Sequence, residues 1–468
     1  MKRRAALALP VILLMGLALI SPNPSTAVVT KPNIVLILTD DQRYDDDWVL
    51  TTVQSELAAK GVKFINASVV NPWCCPSRAS ILTGKYSHGT DVYRNTPPHG
   101  GFSTFKPRDQ STLATWLNAA GYRTGLVGKY LNGYRSTYKP PGWNKWVAFC
   151  CDEANEGGEY YNYDLIMDGV KKHYGSTPAD YSTDVLAAEA ISFINSTPST
   201  QPLFLYFAPF APHGDPIPAV RHKNAFKGYQ FFSPPSRNEA DVSDKPAYIR
   251  STPLLSAAKL QGYDASRRKA LGTLLAVDEA VKGILDSLTA TGRLSNTMVV
   301  FMSDNGFSRG EHRWVKKQAP YEEDIRVPLT VRYDPMVSTP RTDTNFALNI
   351  DLAPTFAALA GVAAPGADGS SLLPLLSSPN SPWRSDFLIE HLKGGGGDTV
   401  PSYCAVRNLT HSYVQYQTGE EELYDINADP YQLQNRASDP QFVSLRESLR
   451  SRVKELCKPT PPGFVFQH

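Results

Sequence analysis

The sequence has almost no net charge, few cysteines and only one long apolar run. Lys plus Arg number 47 against 45 Asp plus Glu in 468 residues. So close a balance excludes a nucleic-acid binder driven by bulk charge. No internal repeat is present, and Gly394 to Gly397 is the only low-complexity stretch. The six cysteines are Cys74, Cys75, Cys150, Cys151, Cys404 and Cys457. Their two Cys-Cys doublets lack partner ligands at metal spacing, which excludes a zinc site. After residue 20 no stretch is long and apolar enough to cross a bilayer, so stable membrane insertion is not expected.

The one apolar run lies at the N-terminus. Lys2, Arg3 and Arg4 precede Ala5 to Ile20, and Pro22, Pro24 and Ser25-Thr26-Ala27 follow. The run is short for a membrane span and ends in small residues, which reads as an export signal cut after Ala27. Removing Lys2, Arg3 and Arg4 leaves 44 basic residues against 45 acidic ones. The mature chain is then a nearly neutral, exported protein in an oxidising compartment, where disulfides are plausible.

Hydrophobic residues make up 42% of the chain and charged residues 20%, enough apolar material for a large core. Three short, continuously apolar runs read as strands buried on both faces: Ile34 to Leu38, Leu203 to Ala208 and Asn296 to Ser303. Amphipathic patterns predict helices at Ser111 to Ala120, Thr183 to Ile194, Arg267 to Leu288 and Ile350 to Ala360. This alternation predicts an α/β unit, a doubly wound sheet with helices on both faces. Beyond about residue 366 the texture changes. Phe387 to Glu390, Tyr403 to Arg407, Ser412 to Gln417 and Glu422 to Tyr424 are short strand candidates, and a helix runs from about Gln441 to Leu456. The expected organisation is a signal segment at 1–27, a large α/β unit at 28–365 and a small antiparallel sheet with one helix at 366–468. Cys404 on a tail strand and Cys457 at the end of the tail helix are expected to form a disulfide that pins that helix to the sheet.

Two of the buried strands end in carboxylates, giving Thr39-Asp40-Asp41-Gln42 and Ser303-Asp304-Asn305-Gly306. In open α/β sheets ligands bind at the carboxyl ends of strands. Adjacent Asp40 and Asp41 repel there unless something neutralises them. Three carboxylates and an amide oxygen are hard ligands, suited to Ca²⁺ first and Mg²⁺ second. The alternative for each pair is an Asx turn closing a loop. Cys74 precedes a proline that can start a helix, so it is expected near a helix N-terminus, where the dipole favours an anion. Arg78 falls one turn later on the same face. The alternative for Cys74 is a structural cysteine.

Cys74-Cys75-Pro76-Ser77-Arg78 followed by Leu82-Thr83-Gly84 resembles the signature of the formylglycine-dependent sulfatases. The other blocks of that family occur in order. Pro32 to Gln42 is similar to its first metal block, Gly128-Lys129-Tyr130 to its Gly-Lys block, and Pro209 to His213 to its Pro-His block. Ser303 to Lys317, with Arg326 to Leu329, is similar to its second metal block. Lys129 to Asn132, Tyr160 to Tyr163, Trp383 to Asp386 and Cys404 to Arg407 look like the N-acetylglucosamine-6-sulfatase and heparan sulfatase branch. One departure is Leu131, where many sulfatases carry a histidine.

The resemblance implies an alkaline-phosphatase-like mixed sheet and a sulfuric ester hydrolase. It implies that Cys74 is converted to formylglycine by a formylglycine-generating enzyme and then hydrated to a geminal diol that attacks sulfur. Asp40, Asp41, Asp304 and Asn305 would hold the cation together with the oxygen of residue 74. Arg78, Lys129 and Lys317 would balance charge on the sulfuryl group, and His213 would protonate the leaving alcohol. His312 is a weaker candidate of the same segment; the alternative is a surface loop histidine. The implied substrate is a sulfated carbohydrate, foremost the 6-sulfate of N-acetylglucosamine, or an aryl sulfate. If the end of the tail strand Phe387 to Glu390 faces the pocket mouth, His391 and Lys393 would bind the sugar there; the alternative is that both are solvated loop residues. The competing reading is a phosphodiesterase or phosphonate hydrolase of the same superfold. A sulfated-glycan binding protein without activity is disfavoured by the intact motif.

Overall fold

Ile34, Leu36 and Leu38 point to one side of the strand Asn33–Thr39 and Val35 and Ile37 to the other, and all five are fully buried. A strand apolar at every position needs cover on both faces. The computed structural model describes residues 31–150, 159–395 and 397–467 and sets this strand inside a ten-stranded sheet. From edge to edge the strands are Arg341–Leu348, Val62–Ser68, Leu329–Arg332, Thr297–Ser303, Asn33–Thr39, Leu203–Ala208, Arg123–Gly128, Lys145–Cys150, Tyr163–Met167 and Val170–Tyr174. The five from Thr297–Ser303 to Lys145–Cys150 run parallel. Leu329–Arg332 is antiparallel to both neighbours, and the far edge closes with two antiparallel strands. The sheet is therefore mixed.

Helices cover both faces. Cys74–Thr83, Leu113–Ala119 and Leu352–Ala360 bury Leu82, Leu117 and Phe356 in the core that holds Leu36. Ser182–Asn195 and Ala257–Ala290 bury Phe193, Leu274 and Ile284 in the core that holds Val35. Each such side chain contributes about 1.5–3 kcal/mol through loss of water contact. The long helix begins ten residues before the expected Arg267, because its first turns lie on the surface and carry no apolar stripe.

The strands Asp386–His391, Tyr403–Asn408, His411–Tyr416 and Glu421–Asp425 form a second, antiparallel sheet in chain order. One face carries Ile389, Tyr403 and Tyr416 into a core shared with Tyr321 and Leu348. The other packs Leu388 and Val406 under Leu449 and Val453 of the helix Val443–Leu456. Cys404 and Cys457 are joined, with Cα atoms 6.3 Å apart. Residues 31–468 form one compact unit, and among the described residues no helix is long and apolar enough to cross a membrane. The expected export signal at 1–27, Cys151 and Gly396 lie outside the described residues.

Candidate active site

Strand register places the first acidic groups. Thr39 lies opposite Ser303, so the two strands end at the same level and Asp40, Asp41, Asp304 and Asn305 emerge side by side. The Asp41 backbone N–H donates to Asp304 Oδ1 at 3.1 Å, and Asn305 Nδ2 donates to Asp41 Oδ1 at 2.6 Å. Asp41 takes a left-handed backbone with φ 63°, a strained conformation that persists only where its surroundings enforce it. One strand further along, Gly128 lies opposite Ala208. At φ 124°, a Cβ on Gly128 would fall 1.9 Å from the Ala208 carbonyl oxygen, so only glycine lets Lys129 turn into the site. Lys129 Nζ pairs with Asp40 Oδ2.

The helix Cys74–Thr83 is buried along its whole length and opens at Cys74, with extended Trp73 before it. Cys74 Sγ lies 3.4 Å from Asp40 Oδ1 and 3.9 Å from Asp41 Oδ1. One turn on, Arg78 is fully buried. Its Nε donates to Asp304 Oδ2 at 2.7 Å and its Nη1 to the Lys129 carbonyl at 2.9 Å. Its Nη2 stands 3.4 Å from Asp40 Oδ2. The neighbouring Cys75 faces the core; its backbone N–H is held by Asn95 Oδ1 at 2.9 Å, and burial pushes its thiol up to about 12.

Lys317 arrives from the opposite side. Its Nζ donates to Asp41 Oδ1 at 2.5 Å and to Cys74 Sγ at 2.7 Å. His213 follows the strand Leu203–Ala208, packs on Phe210, and places Nε2 3.6 Å from Asp41 Oδ2. Ligand atoms of Asp40, Asp41, Cys74 and His213 all lie within 4.8 Å of one another.

Burial raises every carboxylate here; the cations overcome it at Asp40 and Asp41 but not at Asp304. Against burial, Lys129, His213 and Arg78 hold Asp40 well below the usual carboxylate range, and Lys317 and His213 do the same for Asp41. Asp304 is pushed up to about 6 by burial and by Asp40, against Arg78 and Lys129. Burial, then Asp40, pushes the Cys74 thiol far above its usual value, so as cysteine it stays protonated and a poor nucleophile. Burial draws His213 down to about 4, leaving a neutral imidazole at pH 7.

The residues fit a hard divalent cation. The three carboxylates crowd together until one of them approaches protonation, and the buried Oδ1 of Asn305 has no hydrogen-bond partner. Carboxylate and amide oxygens are ligands for Ca²⁺ or Mg²⁺. Asp304 has both oxygens engaged, one on Arg78 and the other on the Asp41 amide.

The cluster opens into a pocket of about 550 Å³, lined by Asp41, His213 and Lys317. Trp73, Trp314 and Asp398 line the same pocket. Trp73 adjoins Cys74 and was within reach of sequence reasoning. Trp314 and Asp398 carry no local signal and are brought in by the fold. Lys393 is a solvated residue, as the second of the two readings has it, and His391 fits neither reading. His391 is fully buried behind Trp73 and Tyr403, with Nε2 3.5 Å from Asp398 Oδ2, and Lys393 is exposed outside the pocket. Alternation along the strand Asp386–His391 and the turn after it deliver Asp398 to the pocket instead. His312 is no surface histidine either. It is fully buried, stacks 4.1 Å from Tyr321, and its Nδ1 lies 2.7 Å from Glu239 Oε2. Leu131 is buried in the core beside Tyr130.

Comparisons with known proteins show the family. The sulfatase family model matches residues 32–362, and that of the C-terminal part of N-sulphoglucosamine sulphohydrolase matches 310–459. The chain is 33% identical to human N-acetylglucosamine-6-sulfatase, over 93% of its own length and 88% of that protein. It is 35% identical to the Drosophila melanogaster extracellular sulfatase SULF-1 homolog over 79% of its length, but spans only 34% of that longer protein. A structure solved in complex with its substrate D-glucosamine-2-N,6-O-disulfate superposes with a TM-score of 0.80 at 26% identity, covering 92% of this chain and 98% of the other. The phosphonate monoester hydrolase of Agrobacterium radiobacter shares the fold, with a TM-score of 0.71 at 19% identity and coverage of 91% and 95%.

Proposed function

The chain belongs to the sulfatase family of sulfuric ester hydrolases, and on that premise we propose that it removes the 6-sulfate of N-acetylglucosamine units with residue 74 as nucleophile. The observation that carries this reading is the seat of Cys74. It opens a buried helix, between two carboxylates on one side and the Lys317 ammonium on the other. A thiol in that seat cannot do the work, because it is protonated and a sulfated thiol has no easy exit. Conversion of Cys74 to formylglycine by a maturation enzyme, followed by hydration, gives residue 74 a hydroxyl in the thiol's place. A hard cation, calcium in the first instance, would be held by Asp40, Asp41, Asp304 and Asn305 and would supply positive charge that favours deprotonation of that hydroxyl.

The chain's own groups do the rest. Lys317 donates toward the atom that attacks and would balance negative charge on it. Lys129 and Arg78 orient Asp40 and Asp304, and against burial they keep Asp40 ionised. His213 lines the pocket, where the leaving alcohol must pass, and a bound sulfate ester raises its proton affinity by adding negative charge next to it. Residues 28–365 carry all of these groups, and the segment 366–468 contributes Asp398 to the pocket, an acceptor for sugar hydroxyls. Residues 1–27 fit a cleaved export signal, which agrees with an extracellular sugar substrate.

The test compares turnover of N-acetylglucosamine 6-sulfate with that of 4-nitrophenyl sulfate in the wild type and in Asp398→Asn. The expected result is a preference for the sugar that falls about ten-fold in the variant, the cost of one lost charged hydrogen bond, while aryl sulfate turnover holds. Good aryl sulfate turnover with none on the sugar would overturn the substrate assignment.

A further inference from the structure

A second pocket, of about 250 Å³, lies beside the first and takes no part in the chemistry above. Its wall is aromatic: Trp48, Tyr229, Phe231 and Phe232. Its floor is charged, with Arg43 and Arg267 both paired to Asp45, at 2.8 and 3.0 Å. The wall is ordered. The Trp48 and Tyr229 rings stack at 5.3 Å and 27°, Phe231 meets Tyr229 edge-on at 5.2 Å, and the Arg267 guanidinium lies 4.5 Å over Phe231. Yet it is open to water, since Trp48 is 44% exposed and Phe232 73% exposed. Large apolar rings gathered at the surface over polar groups mark a binding site more often than a packing accident.

One hydrogen bond joins the linings of the two pockets. Arg43, on the floor of the aromatic pocket, donates to the Phe307 carbonyl at 2.8 Å, and Phe307 lines the catalytic pocket. Lys223 and Lys227 stand exposed on the chain segment that supplies Tyr229 and Phe231.

We propose that this aromatic pocket is a second carbohydrate subsite, which holds a further sugar unit of the chain whose terminal sulfate enters the catalytic pocket. Pyranose rings present C–H groups on their faces and hydroxyls at their rims, so an aromatic wall over a charged floor matches both surfaces. The exposed lysines match the negative charge of a sulfated chain. The choice of glycan rests on the substrate reading above; the pocket stands on its own geometry.

Calorimetry with an unsulfated tetrasaccharide of N-acetylglucosamine and uronic acid tests the subsite without relying on catalysis. Trp48→Ala and Phe232→Ala are each expected to weaken binding about three- to ten-fold, the loss of one aromatic contact. 4-Nitrophenyl sulfate turnover within two-fold of wild type shows that each variant is folded. A wild type that does not bind the tetrasaccharide, or two variants that bind it unchanged, overturns the proposal. If no sulfated sugar is turned over but binding falls in both variants, the substrate reading fails and the subsite stands.

Discussion

Lys317 Nζ lies 2.7 Å from Cys74 Sγ and 2.5 Å from Asp41 Oδ1, although 243 residues separate it from the cysteine. One ammonium thus touches both the nucleophile position and a metal-site carboxylate. Lys317→Met keeps most of the side-chain volume and removes the charge. It is expected to lower kcat on an aryl sulfate about 10²- to 10³-fold, the scale for losing one preorganised donor in a closed site. Unchanged kcat in a folded variant would remove Lys317 from the chemistry.

The segment that delivers Lys317 is strained. His312, Arg313, Lys316 and Gln318 have φ of 50°, 61°, 130° and 87°, each costing on the order of 1–3 kcal/mol for a residue with a Cβ. Clamps hold it in place. His312 Nδ1 meets Glu239, Arg313 donates to the Glu239 and Ala240 carbonyls, and the Tyr403 hydroxyl donates to the Gln318 carbonyl at 2.9 Å. His312 is therefore a positioning residue. His312→Ala is expected to lower kcat about ten-fold with little change in KM, and His312→Gln, which keeps a donor for Glu239, to restore much of it. Equal loss in both variants would point to a general packing defect.

Metal content is a separate test. The purified protein is expected to hold one calcium ion per chain, and a chelator is expected to abolish turnover and lower the melting temperature. Readdition of Ca²⁺, or less effectively Mg²⁺, should restore both. Stoichiometric zinc without an alkaline-earth ion would contradict the oxygen-ligand assignment.

How much of this was legible in the sequence follows from which physics is local. Asn33–Thr39 and Thr297–Ser303 are apolar at nearly every position, so their burial and the placement of Asp40 and Asp304 at their ends could be read directly. Cys74 at a helix start followed from Pro76. The edge strand Val170–Tyr174, reading Val-Lys-Lys-His-Tyr, is exposed and has no apolar period to detect. The rest of the pocket lining was illegible for another reason. Trp314 and Asp398 meet Trp73 only through tertiary packing, and whether His391 or Asp398 faces the pocket depends on a turn whose geometry no local pattern specifies.

Asp324 gives a pH prediction. Burial lifts its carboxyl to about 8, although Ser308 Oγ and the Ala319 N–H donate to it at 2.6 and 2.9 Å. A folded pKa above the unfolded value of 3.8 means that its stability contribution is complete below about pH 4 and lost as pH rises through 8. Asp324→Asn retains both partners without the charge. Thermal melts should show the variant gaining on wild type between pH 5 and 9. Parallel curves across that range would show that Asp324 ionises freely in the folded protein.

The most direct test of the account is mass analysis of the peptide that spans residue 74, from protein produced together with a formylglycine-generating enzyme. The predicted result is an aldehyde at position 74, trapped by a hydrazine reagent, with Cys75 unmodified. Sulfatase activity from a protein whose Cys74 is entirely unmodified cysteine would contradict it.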